Sequence, residues 1–232
     1  MQFSNLFIII VLGAVSGALS ATVKDHDKID KLPASGSEYE TTYQPKLHIG
    51  NGCYSYPAVD AEGNWSGGLK PTGAPSAACK DRTKGQTYVR TADDFKGKIA
   101  MVYAWYMPKD VVTSGFGHRH DWEGAVVFVD RKTNRTEGVA CSAHGGWRKY
   151  PNPGGNNVNG THARLQYSAE PVINTHALDL TDKDGDLPTL AQWEQIGVPA
   201  QQAINDNSHW GKANPPIADH RMLNTLEGAW MW

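Results

Sequence analysis

The sequence predicts an α+β fold, a β-sandwich with helices packed outside it. Two segments, Lys98–Met107 and Asp121–Val129, are apolar on both faces when read at period two, as strands inside a sandwich are. Helical spacing of apolar residues begins only after Asp186, so strands come first and helices later. Twenty-four Gly and thirteen Pro in 232 residues favour many short elements joined by turns. A chain of this length holds one good-sized core, and a largely β domain of this size need not divide.

Residues 1–20 read as a secretory signal peptide, leaving 21–232 as a single domain. The apolar segment Leu6–Val15 is about half the length a bilayer span requires, and Ala18-Leu19-Ser20 offers a small-residue cleavage site. Residues 21–44 are polar and weakly patterned, an extended arm or edge, and Lys46–Ile49 is a short strand. Gly63–Ala78 is loop, rich in Gly, Pro and Ser. Pro108 ends the strand that begins at Lys98, and a nine- or ten-residue loop carrying Asp110 and His118 leads into the next. Val139–Ala143, Leu165–Tyr167 and Pro171–Leu178 are further strands, and Lys149–Gly160 is surface loop. Leu190, Trp193 and Ile196 recur at helical spacing, Pro199 restarts a turn through Ile204, and Met222, Leu223, Leu226, Ala229 and Trp230 mark an amphipathic helix capped by Asp219.

The net charge of −2 gives no basic excess for nucleic acid or anionic lipid. Three cysteines in a secreted chain imply one disulfide and one leftover thiol. Cys53 and Cys79 bracket the Gly/Pro-rich loop, and Cys141 reads as a buried small hydrophobe. The triplets at Asn64, Asn134 and Asn159 are possible glycan acceptors.

The chemistry gathers in Gly117-His118-Arg119-His120-Asp121-Trp122-Glu123 and in Asp110 just upstream. On a strand Asp121 and Glu123 point the same way, and three carboxylates with an imidazole suit a hard cation, Mg²⁺ or Ca²⁺. A solvated strand edge is the alternative. His118 and His120 would share a strand face, which keeps zinc open although carboxylates outnumber nitrogen donors. Arg119 is expected to brace a carboxylate. Paired carboxylates also permit glycosidase chemistry, but no nucleophile elbow or phosphate loop is present. Trp147, after Gly145-Gly146, is placed to stack on a sugar or to enter a headgroup layer, unless it pins its own loop.

Ala104-Trp105-Tyr106-Met107-Pro108-Lys109-Asp110, a short spacer and the GHRHDWE run resemble the necrosis- and ethylene-inducing-protein-like family of secreted cytolysins. His26-Asp27, Gly52-Cys53, Pro57-Ala58-Val59-Asp60 and Gly211-Lys212-Ala213-Asn214 extend the resemblance over nearly the whole chain after its first twenty-odd residues. The resemblance implies a β-sandwich similar to actinoporins and fungal fruit-body lectins, with the single disulfide pairing Cys53 with Cys79. It implies that Asp110, His118, Asp121 and Glu123 hold a divalent cation, with His144 and His176 in the cavity around it. It further implies a secreted, non-enzymatic cytolysin, read here as a monomer. Such a protein binds the sugar headgroups of plant inositol-phosphoceramide sphingolipids and disrupts the plasma membrane. Its segment Ile99–Glu123 also triggers plant immune receptors. A non-toxic member and a carbohydrate-active enzyme remain as competing readings. The spacer Val111-Val112, the segment Ala218–Asn224 and Cys141 depart from the family pattern.

Overall fold

A computed structural model of the chain describes residues 20–170 and 175–232. The signal-peptide reading and the start of the Pro171–Leu178 strand lie outside the described residues, apart from Ser20 at the predicted cleavage site. The strands are β1 (Val23–Lys24), β2 (Lys46–Ile49), β3 (Trp65–Ser66), β4 (Gln86–Phe95), β5 (Lys98–Asp110) and β6 (His118–Asp130). They continue with β7 (Arg135–Ala143), β8 (Gly146–Pro151), β9 (Val158–Asn159), β10 (His162–Glu170), β11 (Thr175–Leu180) and β12 (Thr189–Gln192). The helices are α1 (Glu38–Thr42), α2 (Val198–Asn205) and α3 (Asp219–Ala229).

The larger sheet has the order β12-β4-β5-β6-β7-β8, antiparallel except where β12 runs parallel to β4. The smaller has the order β11-β10-β2, with β9 beside β10, and β11 lies against β6 and β7. Strands β5 and β6 occupy the middle of the larger sheet, as their doubly apolar pattern requires. Tyr103, Trp105 and Tyr106 have no exposure, and each polar atom they bury has a partner. The Tyr103 hydroxyl donates to the Glu40 carbonyl at 2.7 Å, Trp105 Nε1 donates to Thr87 Oγ1 at 2.9 Å, and the Tyr106 hydroxyl reaches Ser66 Oγ at 3.0 Å.

Several sequence expectations are corrected. Pro108 lies inside β5 rather than ending it, opposite a break in the ladder where His120 takes φ +59°, and only seven residues, 111–117, join the two strands. Asp110 and His118 are therefore strand ends, not loop residues. The arm before β2 contains α1, whose start is fixed by a capping box: Ser37 Oγ accepts from Glu40 N while Glu40 Oε2 accepts from Ser37 N at 2.8 Å. Thr189–Gln192 is strand rather than helix, because it pairs with β4 and the buried Gln86 amide donates to the Thr189 carbonyl. Trp193 then sits on a short 3₁₀ turn.

Helix α3 forms where predicted, with Leu226 and Ala229 inward, but Leu223 is 64 % exposed. Ala218, not Asp219, is its N-cap, and the Asp219 carboxylate instead pairs with Arg90 at 2.8 Å. Part of the expected 149–160 loop is β8. Cys53 and Cys79 are bonded, and Cys141 is buried, which pushes its thiol up. Asn64 is also buried, its amide donating to the Asp60 carboxylate at 2.9–3.0 Å, so that triplet is not an accessible glycan acceptor in the folded chain.

Candidate functional site

The β5–β6 hairpin places Asp110 directly opposite His118. Gly117 makes this junction possible. At φ +128° its missing Cβ would stand 2.1 Å from the Asp110 carbonyl oxygen, so no other residue fits. Three residues farther along, the His120 kink breaks the period-two alternation and brings His118 and Asp121 to the same side. One ligating atom each from Asp110, His118 and Asp121 then lies within 4.8 Å of the others.

The imidazole of His118 is oriented for a cation. Its Nδ1 donates to the His120 carbonyl at 2.7 Å, which fixes the tautomer and leaves the Nε2 lone pair 3.6 Å from Asp110 Oδ2. His120 itself does not join the site. Its ring turns into an aromatic slot, with Nδ1 2.8 Å from the Tyr106 hydroxyl and its ring edge-on to Trp210, and burial followed by the Arg119 charge holds it down to about 4. The predicted sharing of a face by His118 and His120 fails at this kink. Arg119 does not brace a carboxylate either; its guanidinium donates to the Gly67 and Gly68 carbonyls.

The second sheet supports both acids of the triad. Asp110 accepts from Thr175 Oγ1, from the His176 amide at 3.2 Å and from His176 Nδ1 at 2.6 Å. Burial pushes its carboxyl up, but these donors outweigh burial and hold it below the usual range. Among the described residues, Asp121 Oδ2 accepts only the Tyr167 hydroxyl, at 2.8 Å. Burial and then the Asp110 charge push Asp121 up to about 6. Glu123 is near the triad but not within it. It is buried on the same side, accepts from Ser142 Oγ, and is pushed well up by burial and then by Asp121. Two buried acids that resist ionisation side by side are stabilised as anions when a cation sits among them. The donor set of two carboxylates and an oriented imidazole fits a hard divalent ion.

These groups open into a cavity of about 630 Å³ whose wall includes His118, Asp121, Glu123, Trp147, Lys212 and Arg221. His176 lines it but is 2 % exposed and chiefly positions Asp110. His144, at the rim with φ +51°, has Nε2 engaged by Glu170 at 2.7 Å. Trp147 belongs to β8 rather than to a free loop. A Cβ on Gly228 of α3 would meet its indole at 2.8 Å, so the helix rests on the ring. Sequence reasoning missed Tyr167, Thr175 and Ser142, whose types carry no local signal, and it gave Lys212 no role in the site and Arg221 none at all.

A family profile described as "Necrosis inducing protein (NPP1)" matches residues 37–229. The chain belongs to the necrosis-inducing protein family. Necrosis-inducing protein NPP1 of Phytophthora nicotianae is 40 % identical over 97 % of this chain and 99 % of its own length, and NLP effector protein 10 of Phytophthora capsici is 41 % identical over the same shares. Among solved structures, necrosis and ethylene inducing protein 2 from the causal agent of cocoa's witches' broom disease is 72 % identical. It covers 92 % of this chain and 100 % of its own, with a TM-score of 0.90. NLPPya in complex with mannosamine superposes with a TM-score of 0.84 at 35 % identity, covering 90 % of this chain and 100 % of its own. The fold is thus the toxin fold of this family, with the expected sandwich and the Cys53–Cys79 bridge.

Proposed function

We propose that this family member is a secreted cytolysin that binds the sugar headgroup of plant inositol-phosphoceramide sphingolipids and disrupts the outer leaflet of the plasma membrane. The observation that carries the reading is the triad of Asp110, His118 and Asp121, gathered within 4.8 Å, with His118 and Asp121 lining an open cavity. Those three residues would hold Mg²⁺ or Ca²⁺, with Glu123 as the charged wall behind them. A divalent ion there supplies coordination for vicinal sugar hydroxyls, which a neutral protein surface binds weakly. Complexes of NLPPya with glucosamine and mannosamine support a sugar as the ligand. The proposed action is binding and insertion, with no catalytic step.

One observation favours a second reading, a non-toxic member that keeps the fold: non-toxic HaNLP3 superposes with a TM-score of 0.84 at 34 % identity. Leakage of sphingolipid-containing vesicles decides between them. The first reading expects release that depends on added cation and disappears in Asp121→Ala; cation-independent release, or full release by that variant, overturns it. As a pattern for plant immune receptors, residues 99–123 take in nearly all of β5, the largely exposed 111–117 connection and the start of β6; the β5 part is buried, so a receptor would read it only after the fold has opened.

A further inference from the structure

The outer edge of β2 carries a groove that the acid site does not use. Two lobes of about 210 Å³ each meet there, and Leu47, Ile49, Tyr54, Arg82 and Asp186 line both. None of these five residues lines the acid cavity. Arg82 donates through Nε and Nη2 to the Asp186 carboxylate, which ties the short turn Arg82–Lys84 to the chain ahead of β12.

Backbone geometry builds this groove. Segment 184–187 lies along β2, where the Leu47 amide donates to the Asp186 carbonyl at 2.8 Å and the Asp186 amide donates back at 3.0 Å. A Cβ on Gly185 would stand 2.4 Å from the Leu47 carbonyl carbon, so only glycine allows that approach. Leu47 thus bonds outward, while the Gly50 amide bonds inward to the Tyr167 carbonyl at 2.9 Å. By alternation the Ile49 N–H and C=O also face outward, and among the described residues neither has a partner.

Two hydroxyls share that condition. Ser55 is 3 % exposed and lines the groove, yet among the described residues its Oγ has no hydrogen-bond partner, and neither has the hydroxyl of half-buried Tyr54. An unmatched hydroxyl out of water contributes nothing to the fold. Unmatched donors and acceptors beside Leu47, Ile49 and the exposed Leu187 suit a ligand that offers both hydroxyls and C–H faces. Charge argues against an ion. Asp186 is matched by Arg82, Asp184 is matched by Lys46 at 2.8 Å, and Lys31 is a single exposed ammonium. A strand partner fits less well, because one outward backbone pair is too short a ladder.

We infer that this groove is a second saccharide site, which takes an uncharged di- or oligosaccharide without a metal ion. It stands apart from the cation reading above and does not depend on it.

Saturation-transfer difference NMR in EDTA with maltose, cellobiose, lactose and N,N′-diacetylchitobiose tests it. Chelation removes cation-dependent binding at the acid cavity, and at least one of these disaccharides should still bind. Its affinity should fall about tenfold in Tyr54→Phe/Ser55→Ala, the loss expected for two hydrogen bonds. The double variant should melt no lower than the parent, because neither hydroxyl has a partner to lose. Binding by none of the four sugars in EDTA, binding that requires a divalent cation, or unaltered affinity in the double variant overturns the proposal. A melting point several degrees lower in the variant assigns the hydroxyls to the fold and overturns it as well. Capture of an extended hexapeptide of alternating Thr and Val in place of the sugars also overturns it, by making the groove a strand-docking edge.

Discussion

Asp110 and His118 are cross-strand partners at the turn end of the β5–β6 hairpin, and His118 Nε2 stands 3.6 Å from Asp110 Oδ2. Register alone therefore sets two members of the triad side by side, and the kink at His120 delivers the third. Each depends on the ladder being in register, because a slip of one residue would send the side chains to the opposite face.

The first prediction concerns Asp121. Buried near Asp110 and Glu123, its charge destabilises the protein when no cation is bound. Asn in its place keeps an acceptor for the Tyr167 hydroxyl and removes the repulsion. In EDTA at pH 7, Asp121→Asn should melt a few degrees higher than the parent, a shift that corresponds to about 1–2 kcal/mol in a domain of this size. On adding Mg²⁺ or Ca²⁺ the order should reverse, since only the parent gains stability from binding. Thermal scans with and without cation check both halves.

The same burial gives a pH dependence. Asp121 titrates near 6 in the folded chain against about 3.9 when unfolded, and Glu123 is shifted the same way. The native state thus retains protons that the unfolded state releases, and the resulting stability is complete below about pH 4 and lost as pH rises through 6. Asp110 is shifted down and acts oppositely, losing its contribution as pH falls toward and below the ordinary carboxylate range. Urea midpoints in EDTA should therefore decline between pH 5 and 7.5, and a saturating divalent cation should flatten the decline. A profile that is flat without cation would count against the repulsion account.

Gly52 is predicted to be intolerant of a side chain. At φ +88° its Cβ would sit 2.7 Å from His176 Nε2 and 2.9 Å from the Tyr167 ring, the two groups that hold Asp110 and Asp121. Gly52→Ala should lower stability by about 1–3 kcal/mol and weaken cation binding as well. Tyr167→Phe separates these effects. It removes the Asp121 donor without adding bulk, so cation affinity should fall while the ring stacked on His176 at 4.7 Å remains.

The middle of the sandwich was legible in the sequence because β5 and β6 bury both faces, and a doubly apolar run admits little else. Cys53–Cys79 and the acidic cluster were legible through the resemblance more than through spacing. What the residues hid was non-local. Leu190, Trp193 and Ile196 satisfy a helical period, yet pairing with β4 overrides it, because a free edge there would strand the Gln86 amide. His120 was misplaced because alternation assumes extended dihedrals, which a φ of +59° breaks. Tyr167 and Thr175 reach the site from another sheet, and no window of sequence contains both them and Asp121.

The disulfide offers the last prediction. Its closed loop spans 26 residues, for which chain entropy alone gives about 3–4 kcal/mol. That loop also carries the hairpin. Lys109 Nζ donates to the Thr72 and Ala74 carbonyls at 2.9 and 3.0 Å, the Leu69 amide donates to the Pro108 carbonyl at 2.8 Å, and the Gly115 amide donates to the Pro71 carbonyl at 2.9 Å. Cys53→Ala/Cys79→Ala should therefore cost more than stability. Where the variant remains folded in the cold, its cation affinity should fall and hydrogen exchange should quicken over 108–118, because the opened loop no longer holds Asp110 against His118. Unchanged exchange in that segment would show that the two strands keep their register without the tether.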